Sequence, residues 1–347
     1  MILFDETNAA SWSHPSGLAR VSRRLKAELG GAAKGASWPW NGAGKGDWLL
    51  TTELFSEHER PGLTAFLEQR PCGLAAVYHD AIPIKHPDIT WPRSVERHPA
   101  YMKLLSRFDR VWAVSRASRQ ELLDFWAWQG VTAPPPVGVL ALGADMEGVA
   151  RATVASASAS VRTPRIVCVG ILEPRKNQAV IVEACEALRG EGLEMELHLV
   201  GRVNPHFGAQ LKNRIAELMD RWPGLRYHSN LGDEALADLV RSARATAFAS
   251  IAEGCGLPLL ESLWMGVPCA CSDIAPLLEN ASGGGCAVVE GNSLAGWKGV
   301  LRRLLTDNAF RGRLAAEALS RPLPTWAGAA RTLRETLAGH PGPATDA

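Results

Sequence analysis

The chain has 347 residues, 46% hydrophobic and 21% charged, with 37 Lys and Arg against 36 Asp and Glu. That length fits two domains, the apolar content excludes a disordered chain, and a net charge of +1 supplies no field for nucleic acid. No apolar run reaches the roughly 18 residues that span a bilayer, and the seven cysteines form no C-x-x-C pair, which leaves reduced, buried thiols in a cytoplasmic protein.

The first residues, MILFDETN, carry acids and no basic stretch, so no signal peptide is expected. Three apolar runs in the first half read as strands, each delivering polar residues or Gly at its end. They are 74–78 (LAAVY) before His79 and Asp80, 110–114 (RVWAV) before Ser115, and 137–142 (VGVLAL) before Gly143. The small-residue stretch 151–163 (RATVASASASVRT) reads as a linker, which puts a domain boundary near 160.

The second half has a regular rhythm. Strands are expected at 165–170, 195–201, 225–228, 245–250, 267–271 and 287–289. Between them, 176–189 places apolar groups at 180, 181, 184 and 188; 207–221 reads as a helix; and Asp233 is the expected cap of a helix with apolar groups at 236, 239, 240 and 243. Strands alternating with helices imply parallel sheets covered on both faces, with ligands beyond the carboxyl ends of the strands. The expected fold is two doubly wound domains, 1–160 and 161–324, with the active cleft between them. A helix at 325–338 and a disordered tail at 339–347 complete the chain.

Two strand-to-helix junctions hold the chemistry. At 252–265 (AEGCGLPLLESLWM) a strand is followed by two glycines and then a helix with Pro258 in its first turn. Free backbone N–H groups at such a start attract an anion. Glu253 stands before that helix and Glu261 eight positions later, roughly 10 Å away at the helical rise. That is wide for a pair of glycosidase carboxylates but suits the grip of two hydroxyl-rich parts of one ligand. A surface Glu and a solvated helical Glu are an equally weighted alternative. At 170–177 (GILEPRKN), Arg175 and Lys176 open a helix whose dipole they oppose, a conflict that a bound diphosphate relieves; a solvated basic pair is the bland reading.

The run VGILEPRKN, HLVG, LGDEALADLVRSA and EGCGLPLLESLWMGVPCACSD resembles glycosyltransferase family 4, the retaining GT-B enzymes. Shorter pieces at 16–25, 76–87 and 111–123 extend the likeness into the first half, closest to bacterial O-antigen and capsule mannosyltransferases. The resemblance implies a GT-B fold of two Rossmann-like domains facing each other across a cleft, with helix 325–338 returning to the N-terminal domain. It also implies transfer of a hexose, with GDP-mannose as first donor, to a glycan or lipid-linked acceptor; no D-x-D element stands in a metal-binding context, so metal-independent transfer is expected. Arg175 and Lys176 would hold the donor diphosphate, Glu253 the sugar hydroxyls, and Glu261 the ribose. Gly170 and the amides of Gly254, Cys255, Gly256 and Leu257 would line the donor. Gly17 would approach its phosphate, and His79 would stand by the reacting sugar. Many members carry Arg immediately after Gly170, where this chain has Ile171, so the phosphate grip falls to Arg175 and Lys176.

A GT-B sugar-nucleotide 2-epimerase needs an acid and a base at C2 that the sequence does not supply, and a non-catalytic glycan- or nucleotide-binding module would not need both cations and both glutamates. Without the family, His79 and Asp80 read as a structural strand-end pair. NGAGKGD at 41–47 lacks the spacing of a phosphate loop, and His14, His58, His86 and His98 lack metal spacing. From Arg93 to Arg119 there are seven basic residues against two acids, with Trp91, Tyr101, Phe108 and Trp112 interleaved. One amphipathic helix with a solvated face is favoured there over peripheral contact with an anionic inner-membrane surface.

Overall fold

Residues 1–9, 16–154 and 163–339 are described by the computed structural model. Most of the expected linker and the tail from His340 lie outside them, as does His14. The described residues form two sheets of six strands, all paired in parallel. Such strands are buried on both faces, and most of these carry the apolar runs that this demands.

The N-terminal sheet comprises β1 (Ile2–Asp5), β2 (Ala33–Ala36), β3 (Trp48–Thr51), β4 (Gly73–Tyr78), β5 (Arg110–Ala113) and β6 (Val137–Val139), in the order β2-β1-β3-β4-β5-β6. The order reverses between β1 and β3. The C-terminal sheet comprises β7 (Arg165–Val169), β8 (Glu196–Val200), β9 (Leu225–His228), β10 (Ala245–Phe248), β11 (Cys269–Ser272) and β12 (Cys286–Val289). Its order, β12-β11-β10-β7-β8-β9, reverses between β7 and β10. Such reversals open the crevice in which doubly wound sheets hold ligands.

The chain divides into a unit of residues 1–143 with 324–347 and a unit of residues 144–323. The boundary is therefore not near 160. Met146 and Val149 are buried among Val167, Val200, Val240 and Met265 of the C-terminal unit, and the indole of Trp264 donates to the Val149 carbonyl at 3.0 Å. The segment that looks like a linker thus begins as core. In the N-terminal unit, helix Trp326–Ala338 packs on helix Gly17–Leu29. Gly143 makes room for it: a Cβ there would lie 2.3 Å from the Trp326 amide nitrogen.

Two local expectations change. The cap of helix Asp233–Arg241 is Gly232; Asp233 lies inside the first turn, where its charge suits the dipole. Arg175 and Lys176 do not open an α-helix. They lie in a 3-10 turn, Pro174–Lys176, and Asn177 then reverses to φ 49° before helix Gln178–Gly190 begins. All seven cysteines are free, five buried and Cys255 and Cys286 partly exposed. The basic stretch includes helix Pro92–Leu105, which buries His98, Tyr101, Met102 and Leu105. Within the basic stretch, Arg97 pairs with Glu59 and, beyond the helix, Arg107 pairs with Glu68. Among the described residues no helix is long and apolar enough to cross a membrane.

Candidate active site

The switch point of the C-terminal sheet gathers the two predicted junctions. Gly170 follows β7 with φ 153°, and the loop Ala249–Gly256 follows β10. Gly201, after β8, approaches so closely that a Cβ would stand 2.2 Å from the Gly170 carbonyl oxygen. Only glycine fits there.

Lys176 Nζ is 2.5 Å from Glu253 Oε1, and Arg175 Nη1 is 3.3 Å from Glu253 Oε2. Arg175 also donates to the Ala252 carbonyl at 3.1 Å, and the Arg175 carbonyl accepts from the Ile251 amide at 2.9 Å. The two cations and the carboxylate therefore belong to one constellation, with Lys176 12% and Glu253 8% exposed. The Lys176 ammonium lies 4.9 Å from the Phe248 ring centre. Burial raises the Glu253 carboxyl, but Lys176 and Arg175 outweigh it and hold the group below its ordinary value. Burial lowers Lys176, and Glu253 opposes that shift.

Glu173 was not picked out from the sequence, yet it sets this arrangement. One oxygen accepts from Arg175 at 2.7 and 3.1 Å, and the other accepts from Asn204 Nδ2 at 2.9 Å. It ties the Arg175 fork to the loop after β8. The adjacent acid in EPRKN was the available signal. Gln178 adds a bond from its Nε2 to the Ile171 carbonyl at 2.7 Å.

Beyond Glu253 the chain turns into helix Leu257–Trp264. Gly256 precedes it at φ 86°, with Leu257 as the first helical residue and Pro258 in the first turn. The Cys255 carbonyl accepts from Asn280 Nδ2 at 2.6 Å, and burial pushes the Cys255 thiol up to about 12, so it stays protonated. Glu261 is 5% exposed and borders a small crevice with Val169, Phe248 and Pro258. The reading of Glu261 as a solvated helical residue fails on that burial.

Gly17 and His79 lie in the N-terminal unit. Gly17 opens helix Gly17–Leu29, capped by Ser16, whose hydroxyl accepts from the Ala19 amide at 3.1 Å. His79 follows β4, and its Nε2 is 2.8 Å from the Thr52 carbonyl. A carbonyl only accepts, so Nε2 carries the proton and Nδ1 of the neutral ring is an acceptor. Burial lowers the imidazole below its ordinary value, against the Thr52 bond and Asp80. The Asp80 carboxylate accepts from the Ile82 amide at 3.0 Å. Among the described residues no cluster of His, Cys, Asp and Glu could hold a metal ion.

This architecture is that of GT-B proteins. Across 98% of the chain it matches Anabaena HepE, a structure in complex with UDP and glucose, with a TM-score of 0.72 at 14% identity and 99% of that chain covered. It also matches WaaG, a glycosyltransferase involved in lipopolysaccharide biosynthesis, over 98% of this chain and all of that one, with a TM-score of 0.66 and 15% identity. Residues 163–307 match the glycosyl transferases group 1 model. Among curated relatives, the serotype-specific mannosyltransferase WbdA of Escherichia coli is 29% identical over 255 residues, 68% of this chain. The chain spans 31% of WbdA's own length. O-antigen chain mannosyltransferase B of Escherichia coli is 29% identical over 152 residues, 44% of this chain and 39% of the relative.

Proposed function

We propose that the chain is a retaining glycosyltransferase that moves a hexose from a nucleotide sugar to a glycan or lipid-linked acceptor in surface-polysaccharide assembly. GDP-mannose is the first donor to test, because the matched relatives WbdA and mannosyltransferase B are named mannosyltransferases. The single observation that supports the reading most is the meeting of Arg175, Lys176 and Glu253 at the switch point of a nucleotide-binding type of sheet.

The chemistry follows from charge. Cleaving the sugar–phosphate bond leaves negative charge on the diphosphate and positive charge on the ring. Arg175 and Lys176 would stabilise the first, with amides from Gly254 to Leu257 at the helix start beside them. A diphosphate would compete with Glu253 for both cations and free its carboxylate to accept from sugar hydroxyls. Glu261 would accept from the ribose, and Gly17 and His79 would act from the N-terminal unit. In this reading the leaving phosphate helps to take the acceptor proton on the same face, which retains the anomeric configuration. Side-chain cations neutralise the diphosphate, so no metal is assigned a role.

The test is a panel of nucleotide sugars offered with bacterial glycolipid extracts, read as free nucleotide and labelled product. The expected result is release of GDP with transfer of mannose, unchanged by a chelator. Absence of turnover with every donor and acceptor would falsify the proposal, and isomerised sugar nucleotide without an acceptor would replace it with epimerisation.

A further inference from the structure

The N-terminal unit buries a charged cluster that the reaction above leaves unused. Asp5 ends β1, and Thr51, Thr52 and Glu53 run off the end of β3, at the point where the order of this sheet reverses. Asp5, Glu53 and Arg60 are at most 1% exposed. Arg60 Nη2 is 2.8 Å from Asp5 Oδ2 and 2.6 Å from Glu53 Oε2. Its guanidinium lies 4.9 Å from the Trp40 ring centre and 5.2 Å from that of Phe55, and its Nε and Nη1 have no hydrogen-bond partner. One cation thus serves two carboxylates out of contact with water. Stability alone is a weak reason for so uneven a buried arrangement.

The carboxylates hold backbone. Asp5 accepts from Thr7 N and Oγ1, Trp40 Nε1 and Thr51 Oγ1, at 2.6–3.1 Å. Glu53 accepts the Asn8 amide with both oxygens, at 2.9 and 3.0 Å. The carbonyl of the preceding residue, Thr52, is the one that holds the His79 ring.

We propose that Glu53 is a positioning residue: its ionised carboxylate fixes the turn at Asn8 and, through the Thr52 peptide, the orientation of His79, and its protonation loosens both. The importance of His79 rests on the transfer reaction proposed above; the positioning itself does not.

Electrostatics agree with the geometry. Burial, then Asp5, push Glu53 up to about 7, against the Asn8 amide and Arg60. Since the Asn8 bond lowers this pKa, linkage requires ionisation to strengthen that bond in return. The charged groups facing Glu53 are Asp5 from β1 and Arg60 from the turn after β3; beyond Thr52, His79 is faced by Asp80 and His98.

The experiment is hydrogen exchange at the Asn8 amide in the full chain, corrected for the intrinsic rate, from about pH 5.5 to about pH 8.5. It is run on the wild type and on Glu53→Gln, together with nitrogen shifts of the His79 ring. Protection should rise several-fold with pH in the wild type and stay flat in the variant. The Nε2–H form of His79 should dominate in the wild type at high pH and give way to mixed tautomers in the variant. Flat wild-type protection overturns the proposal, and so does a His79 ring indifferent to Glu53→Gln. If the variant does not fold, the wild-type pH series decides by itself. Because neither readout uses turnover, a chain with pH-dependent protection and no transferase activity would support the positioning while rejecting the transfer reaction.

Discussion

The Lys176 ammonium lies 2.5 Å from a carboxylate oxygen of Glu253, 77 positions further along the chain. This ion pair joins the two junctions at the switch point and keeps two cations and one carboxylate in a partly buried site. Its structural value is divided, because Arg175 also pairs with Glu173 at 2.7 Å. Its value in the proposed reaction is not divided, since each cation would meet a different part of the developing charge.

Lys176→Ala is therefore expected to lower transfer by about two to three orders of magnitude, the usual cost of removing one preorganised donor to a developing anion. Arg175→Ala should act in the same direction, and Glu173→Gln more weakly by loosening the Arg175 fork. Steady-state rates beside thermal melts check this. A Lys176→Ala protein that folds normally and keeps wild-type rates would remove the diphosphate role.

Glycine substitutions separate packing from function. Gly201→Ala would drive a Cβ to 2.2 Å from the Gly170 carbonyl oxygen at φ 147°, and Gly256→Ala would meet Leu277 Cδ2 at 2.4 Å at φ 86°. Each should cost about 2 kcal/mol or more, from backbone strain and overpacking together. Gly17→Ala meets nothing within 4 Å and sits at the first helical position. Its melting temperature should be unchanged, so any loss of turnover in Gly17→Ala belongs to the site. An unchanged melt for Gly201→Ala would contradict the packing described for the β7 and β8 ends.

The C-terminal sheet was largely legible because its strands are short apolar runs, two of which, β7 and β8, run into Gly, alternating with well-spaced helices. The first half was harder. Its β2, AKGA, is an edge strand with almost no apolar signal, and β1 is four residues at the very start of the chain. Asp5, Glu53 and Arg60 carry no motif at all; sheet order brings them together, and no local spacing encodes that order. Composition misled at the domain boundary, because small residues around 155–162 drew attention from Met146 and Val149, whose burial lies in the second unit.

That boundary has a measurable consequence. A fragment of residues 144–323 should be more stable to urea than one of residues 161–324. The longer N-terminal extension retains Met146 and Val149, whose buried side chains each contribute about 1.5–3 kcal/mol. It also keeps the contacts of Arg151 with the Ala318 and Leu319 carbonyls. Equal midpoints for the two fragments would place the boundary back near 160.

A last prediction concerns β8 and β9, away from the switch point. His198 Nε2 lies 3.2 Å from Glu196 Oε2, and its Nδ1 lies 3.1 Å from His228 Nε2 in a stacked ring pair. The carboxylate accepts a hydrogen bond from Nε2–H, so the neutral His198 Nδ1 must accept from His228. Protonating His198 would set two N–H groups against each other unless His228 changed tautomer. Burial, then Arg165, lower His198 to about 4. The folded state thus resists a proton that the unfolded chain accepts near pH 6.5. Stability should fall as pH drops from about 6.5 to about 4, by on the order of 2 kcal/mol after solvent screening. His198→Phe removes this titration, so the difference in unfolding free energy between variant and wild type should change across that window. Parallel pH profiles for the two proteins would show that the His198–His228 pair carries no such linkage.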